Sequence, residues 1–252
     1  MMPRALRSLV LPAAGVVALL VVWEALARSG LMGPTLIPPP SRVPAALASE
    51  IANGYWGAAV LDSLGHYFAG VALGSVLGIA LGVTVALAPR FAALHSGVVR
   101  ILRPIPPLAW IPFAIIWFGI SQGAAAFVIA IGVFWINYFA SLSAVQAIDR
   151  DLIELARAFG HGALVPRLVK VVLPAASPGI LSGLRAGLGQ GWMTVVAAEL
   201  FGIPGIGQRM MDASGLLATD VVVLYMLTIA LLYSLCDALF EALSRRALAW
   251  ML

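Results

Sequence analysis

Long apolar runs constrain this chain more than any other feature of its sequence. Six of them stand at residues 9–27, 62–88, 105–120, 124–146, 171–198 and 218–242. A helix needs roughly 20 mostly apolar residues to cross the hydrocarbon core of a bilayer. Charged residues make up 10% of the chain, against about 25% in soluble domains, which is too few to cover a surface that faces water. We therefore predict an all-α integral membrane protein with six transmembrane helices in one domain, 1–252.

The distribution of arginine and lysine predicts how the helices are oriented. Short loops rich in these residues stay in the cytoplasm. With the amino terminus inside, the cytoplasmic segments would hold Arg4, Arg7, Arg90, Arg100, Arg103, Arg150, Arg157, Arg167, Lys170, Arg245 and Arg246, and the outer loops would hold Arg28, Arg42 and Arg209. We therefore expect both termini in the cytoplasm. Because these basic residues stand at the ends of apolar runs without interleaved aromatic residues, they do not predict nucleic-acid binding.

The amino-terminal run allows two interpretations. Arg4 and Arg7 followed by LVLPAAGVVALLVVW imitate a cleavable signal peptide. A retained first helix is the favoured interpretation, because Glu24 is a poor neighbour for a cleavage site.

Glycines recur at every fourth position in two of the predicted spans. These glycines are Gly70, Gly74, Gly78 and Gly82 in the second span, and Gly179, Gly183, Gly187 and Gly191 in the fifth. A four-residue step keeps them along one slowly drifting helix face, where a neighbouring backbone can approach closely. We predict that both stripes are helix–helix contacts. They would serve packing alone, or they would also let helices shift during a transport cycle.

A polar, basic segment interrupts the apolar chain at residues 154–174, ELARAFGHGALVPRLVKVVLP. Asp151 stands three residues before Glu154, the spacing of a capping box, so a short helix is predicted to begin there. It would continue through Ala158 and end at Gly160 and Gly162. Pro166 suits the first turn of a second helix. From the residues alone, this helical hairpin is either a surface for another protein or an ordinary solvated loop.

The same segment resembles the EAA motif of permease subunits in ATP-binding-cassette (ABC) importers. The residues that match the motif are Glu154, Ala156, Gly160, Val171, Leu173 and Pro174. Leu155 replaces the first alanine of the motif, and the spacer from Gly160 to Pro174 is one residue longer than usual, which suggests an insertion around His161–Leu164. Three further stretches, IPPPSRVPAAL, LRPIPPLAWIPFAIIWFGI and TDVVVLYMLTIALLY, are similar to segments of the alkanesulfonate, taurine and nitrate permeases, so the resemblance covers residues 30–248.

This resemblance implies a type I importer permease that dimerises with a second copy in the bacterial inner membrane. A periplasmic solute-binding protein would deliver a small anion of the alkanesulfonate, taurine or nitrate class. A cytoplasmic dimer of ABC ATPases would bind ATP and magnesium and would dock on segment 149–170. The implied coupling residues are Asp151, Glu154, Ala156, Arg157, Gly160 and Pro166.

Other functional classes fit the residues less well. The only lysine, Lys170, follows Val169, so the chain has no P-loop and is not predicted to hydrolyse ATP or to hold a cofactor. His66, His95 and His161 are scattered and form no metalloprotease motif. The remaining alternative is a secondary transporter driven by an ion gradient.

Charged residues inside the predicted spans are candidates for the translocation path, because an ionised group in the bilayer is costly unless it is paired or hydrated. Arg185 lies midway along span five, and Trp192 and Glu199 follow it. The three could contact an anionic cargo, or Arg185 could belong to an ion pair between helices. Asp237, Glu241 and Arg245 are spaced to form a charge ladder on one helix face. Four prolines, Pro104, Pro106, Pro107 and Pro112, predict a broken backbone in span three.

Overall fold

The computed structural model describes residues 4–30, 33, 36–160 and 163–248. Its α-helices are α1 Arg4–Arg28, α2 Val43–Ala52, α3 Tyr55–Leu87, α4 Pro89–Leu102, α5 Ile111–Phe118, α6 Gln122–Gln146, α7 Arg150–Ala158, α8 Leu164–Arg167, α9 Leu173–Glu199, α10 Ile206–Gly215 and α11 Thr219–Ala247. Short 3-10 turns cover Pro40–Arg42 and Pro107–Trp110, and a π-helical segment, Leu168–Val172, joins α8 to α9. These ranges contain no strand, so the predicted all-helical class is confirmed.

Four helical segments are long and apolar enough to cross a membrane: α3, α6, the continuous segment Leu164–Glu199 and Thr219–Arg246. A fifth candidate is the pair formed by α4 and Pro107–Phe118, whose two halves are bent by 87°. The predicted first run, 9–27, lies in α1, which is not among these candidates. The described residues thus provide four to five of the six predicted spans.

The bend follows from the prolines of span three. α4 ends at Leu102, and Pro106 has the extended backbone typical of a residue that precedes proline, with φ −67° and ψ 148°. Proline cannot donate an N–H to a helix, and it disfavours helical geometry in the residue before it. Residues 103–106 therefore interrupt the helix, as the prolines predicted.

The first glycine stripe brings the backbones of α3 and α6 together. A Cβ on Gly70 would lie 2.7 Å from the carbonyl oxygen of Ala126, and one on Gly78 would lie 2.5 Å from that of Phe134. Gly74 and Gly82 meet the carbonyl oxygens of Ala130 and Tyr138 in the same way. The residue numbers of the contacting positions rise together along both helices, so α3 and α6 are parallel. The chain between them, residues 88–121, must therefore return along the bundle.

The second stripe packs α9 mainly against α6 and, at Gly191, against α3. Gly179 and Gly183 face the methyl groups of Ala144 and Ala140, and a Cβ on Gly187 would lie 2.7 Å from Nδ2 of Asn137. Along these contacts the residue numbers rise in α9 while they fall in α6, so the two helices are antiparallel. We call the two ends of this three-helix core the α7 end and the α10 end, after the short helix that follows α6 and α9 respectively.

Candidate functional site

The short helix α7 begins two residues earlier than predicted. Its N-cap is Asp149, whose carboxylate accepts the backbone N–H of Asp151 at 2.9 Å. The prediction that Asp151 caps the helix and pairs with Glu154 is therefore wrong. Asp149 has extended backbone geometry and precedes the first helical residue, which places Asp151 inside the first turn. There its negative charge still interacts favourably with the positive end of the helix dipole.

The other end of α7 agrees with the sequence. The helix ends at Ala158, and Gly160 adopts φ +83°, a left-handed conformation that favours glycine. Pro166 lies in the first turn of α8. His161 and Gly162, and with them the longer spacer, lie outside the described residues.

The surface of α7 is amphipathic and largely open. Ala156 is buried against the bundle, whereas Leu152, Leu155 and Phe159 are exposed, Phe159 to 75%. Arg157 joins Arg167 in lining a cleft of about 190 Å³ together with Ala86, Leu87, Val145, Ile148, Ile153 and Val172. No described acidic residue pairs with either arginine. This combination of exposed apolar and basic groups suits contact with another protein.

Arg185 is bound by carboxylates of α11. Its Nε and Nη2 donate to the two oxygens of Asp237, each at 2.7 Å, and Nη2 also lies 3.2 Å from Oε2 of Glu241. Arg245 donates to the other oxygen of Glu241. The two arginines and two carboxylates cancel in charge, and the bidentate geometry fixes the guanidinium. Within this chain Arg185 therefore pairs with Asp237 and not with Glu199.

This geometry predicts a stability effect at Arg185. Arg185→Ala should lower the yield of folded protein several-fold, because Asp237 would lose its bidentate partner among apolar helices. The double variant Arg185→Ala/Asp237→Ala should recover much of that yield, since neither charge is then unpaired. Size-exclusion chromatography of a fluorescent fusion measures both. A double variant no better than the single one would contradict the pairing.

Trp192 lies in the core and not on an open face. Its side chain is 2% exposed and stacks on Tyr67 of α3 with ring centroids 4.4 Å apart. The structure thus separates Trp192 from the half-exposed Arg185.

Glu199 is fully buried at the α10 end. Its Oε1 accepts the hydroxyl of Ser63 at 2.6 Å and contacts Nε2 of His66, and its Oε2 accepts the backbone N–H of Gly207 at 2.5 Å. Ser63 in turn accepts the N–H of Ile206 at 2.9 Å. One carboxylate therefore joins α3, α9 and the first turn of α10. We call Glu199, Ser63 and His66 the buried carboxylate cluster.

Glycine is required around this cluster. A Cβ on Gly207 would lie 2.6 Å from the carbonyl oxygen of Val196, and one on Gly205 would collide with the Glu199 carboxylate. Sequence reasoning missed Ser63 and His66 as partners of Glu199. Their three-residue spacing places both on one face of α3, which was the only available signal.

A second carboxylate ties α2 to the α10 end. Arg209 donates to both oxygens of the buried Glu50, at 3.0 and 2.8 Å, and the Tyr225 hydroxyl donates to Oε2 at 2.7 Å. The Arg209 hydrogen bonds hold the pKa of the Glu50 carboxyl below its ordinary value, although burial acts in the opposite direction. Because this pKa is lowered, the ionised Glu50 contributes to the stability of the folded protein near neutral pH. That contribution is lost as the pH falls through the folded-state pKa of Glu50.

Arg103 differs from Arg185 in its surroundings. It lies at the start of the break after α4, and its Cζ stands 4.3 Å from the ring centroid of Phe139 on α6. No carboxylate among the described residues pairs with it.

These features define a polytopic helical membrane protein with an exposed short helix at one end of its bundle, and comparison with known proteins supplies the family. Residues 74–248 match the family described as "Binding-protein-dependent transport system inner membrane component". The chain therefore belongs to this family, and it is a permease component of an ABC importer. The resemblance predicted from the sequence is confirmed.

Several relatives match nearly the whole chain. The taurine transport system permease protein TauC of Escherichia coli K12 is 32% identical over 97% of this chain and 90% of its own length. The putative aliphatic sulfonates transport permease protein SsuC of the same organism is 34% identical over 93% and 89%. The bicarbonate transport system permease protein CmpB of Synechococcus elongatus is 33% identical over 82% and 78%.

A solved structure supports the fold. An inward-facing crystal form of the MetNI methionine ABC transporter superposes with a TM-score of 0.63 and 23% identity, covering 81% of this chain and 99% of that one.

Proposed function

We propose that this permease moves a small oxyanionic solute of the taurine, alkanesulfonate or bicarbonate class into the cytoplasm, driven by a separate ATPase. The relatives named for taurine, sulfonates and bicarbonate cover most of this chain, and their cargoes share a small, negatively charged oxygen group. In this proposal the chain has six spans, α1 included, and both termini are cytoplasmic. The α7 end then faces the cytoplasm and the α10 end faces the periplasmic binding protein.

The exposed helix α7 is the observation that supports ATPase coupling. It is anchored by buried Ala156, and it presents Leu152, Leu155, Phe159 and charged Glu154 away from the bundle. A cytoplasmic ATPase dimer that closes on ATP and magnesium could move such a helix as a rigid lever. We expect this contact to involve Asp151, Arg157, Gly160 and Pro166. Gly160 follows the end of α7, and Pro166 lies in α8, which leads back to the bundle.

The surface of α1 supports a homodimer. Leu11, Val17 and Val21 are exposed on this helix, and its substantial contacts within the described chain are with the turn Pro40–Arg42. A long apolar helix that its own bundle does not cover needs lipid or a second copy around it. We infer that two copies associate, with the cargo path at their two-fold axis.

A charge reversal on α7 tests the coupling proposal. Glu154→Lys should lower ATP-dependent uptake by about tenfold or more. It replaces a negative charge by a positive one at the docking surface, and like charges facing each other across an interface cost several kcal/mol. Uptake and co-purification of the ATPase with the permease measure the effect. Asp212→Lys, an equal reversal at the α10 end, is the control and should leave ATPase co-purification unchanged. Normal uptake by Glu154→Lys would remove this residue from the coupling surface.

A further inference from the structure

The break between α4 and α5 lies beside the middle part of the membrane-spanning helix α6, and not beyond its ends. Since α3 and α6 are parallel, residues 88–121 must travel from the α7 end back to the α10 end. The break starts beside Phe139 and ends where Pro107 packs on α6, its Cγ 3.4 Å from a Cβ placed on Gly132. Phe139 stands seven residues before the end of α6 at Gln146, which is about 10 Å along the helix axis.

This depth puts the Arg103 guanidinium inside the hydrocarbon region. The 25 residues of α6 span about 37 Å at 1.5 Å per residue. A hydrocarbon core of about 30 Å leaves only about 4 Å of helix beyond each boundary if α6 is centred. The guanidinium beside Phe139 therefore lies several ångströms below the boundary at the α7 end. A cation at this depth needs a counter-charge or water.

The acidic residues of the chain provide no such counter-charge. Four are paired with other arginines: Glu24, Glu50, Asp237 and Glu241. Glu199 is enclosed in the buried carboxylate cluster. The remaining six stand beyond the core, three at the α7 end and three near the α10 end: Asp149, Asp151, Glu154, Asp62, Asp212 and Asp220.

A second copy of the chain does not change this balance. A two-fold axis along the membrane normal keeps each residue at its own depth, so the partner brings the same acids to the same levels. Apart from water, the partner of Arg103 must then come from a molecule other than the permease.

Building on the proposed function, we propose that Arg103, at the break between α4 and α5, transiently binds the oxyanion group of the cargo as it crosses the membrane. The Arg103 Cζ lies 4.3 Å from the centroid of the Phe139 ring and the residue is exposed, so the donor edge of its guanidinium is open to a ligand. That edge matches a sulfonate or carboxylate in a bidentate arrangement. The positive end of the half-helix that begins at Pro107 follows four residues later and adds favourable potential.

Transport per ATP hydrolysed tests this proposal. The permease is reconstituted with its ATPase and binding protein in phosphatidylcholine vesicles, and uptake of taurine, methanesulfonate and bicarbonate is measured. Arg103→Gln should lower uptake per ATP by about tenfold, the loss expected for a charge-assisted hydrogen bond, while ATPase activity persists. Arg103→Lys should restore part of the uptake. Arg100→Gln, an exposed arginine one turn earlier on α4, is the matched control and should behave as wild type.

The outcomes separate this inference from the proposed function. If the wild-type complex transports an anion of this panel and Arg103→Gln matches Arg100→Gln, the Arg103 site is refuted and the proposed function stands. A wild-type complex that accumulates none of the three anions overturns both. Adding phosphatidylglycerol to the zwitterionic phosphatidylcholine tests whether a lipid headgroup with net negative charge is the partner. If the Arg103→Gln defect appears only with this lipid, Arg103 anchors a headgroup and the cargo site is refuted.

Discussion

Gly74→Ala should destabilise the permease by about 3 kcal/mol, a large effect for the addition of one methyl group. The new Cβ would collide with the carbonyl oxygen of Ala130 and lie 3.0 Å from its Cα. These are backbone atoms in the middle of a helix, so neither can move without shifting α3 against α6 over their whole contact. The close approach that allows weak Cα–H···O contacts along this face would be lost. Thermal inactivation in detergent measures the change.

Gly57→Ala provides the matched control for this substitution. Gly57 lies in the same helix, and a Cβ there would have no neighbour within 4 Å. Alanine is favoured over glycine in a helix by about 1 kcal/mol, so the control should be neutral or slightly stabilising. Equal losses of stability in the two variants would contradict backbone contact as the cause.

Glu199→Ala is expected to detach the segment 200–215 from the bundle and to cost about 3–5 kcal/mol. The substitution leaves the Ser63 hydroxyl, His66 and the Gly207 N–H buried without their common acceptor. Buried donors without partners cost far more than the same donors in water. Limited proteolysis should then cleave near α10 in the variant under conditions where the wild-type protein stays intact.

Two controls define what Glu199 contributes. Glu199→Gln keeps one acceptor oxygen and much of the volume, so its loss should be smaller than that of alanine. Glu24→Ala removes a carboxylate from an exposed pair with Arg28 on α1 and should leave protease resistance at α10 unchanged. Resistance in Glu199→Ala equal to wild type would mean that other contacts hold the segment.

The structure changes how the charged residues of the spans are interpreted. The sequence grouped Arg185, Trp192 and Glu199 along one predicted path, since all three lie in one span. In the structure Trp192 and Glu199 are buried in separate clusters, and only Arg185 has an open side chain, already neutralised by α11. Contact of Arg185 with cargo stays a prediction, and it would require an anion to compete with Asp237.

Features that depend on short-range order could be derived from the sequence alone. The apolar runs, the glycine stripes, the end of α7 at Gly160 and the break among the prolines each follow from residue type and spacing within a few turns. The choice between Asp149 and Asp151 as the cap of α7 could not be made in this way. Both are good N-cap residues, and the backbone path out of α6 decides between them.

Partnerships across the bundle required the tertiary structure. Glu199 meets Ser63 and His66 from 136 and 133 residues away, and Arg185 meets Asp237 across 52 residues. A charged side chain in an apolar environment needs a partner, but the sequence offers several carboxylates that could pair with each arginine and does not distinguish between them. The sequence by itself determined that this is a helical membrane permease with glycine-lined contacts. Only the packing of parallel α3 and antiparallel α9 against α6 decided which charges are paired across the bundle, and that Arg103, beside Phe139 of α6, has no carboxylate partner among the described residues.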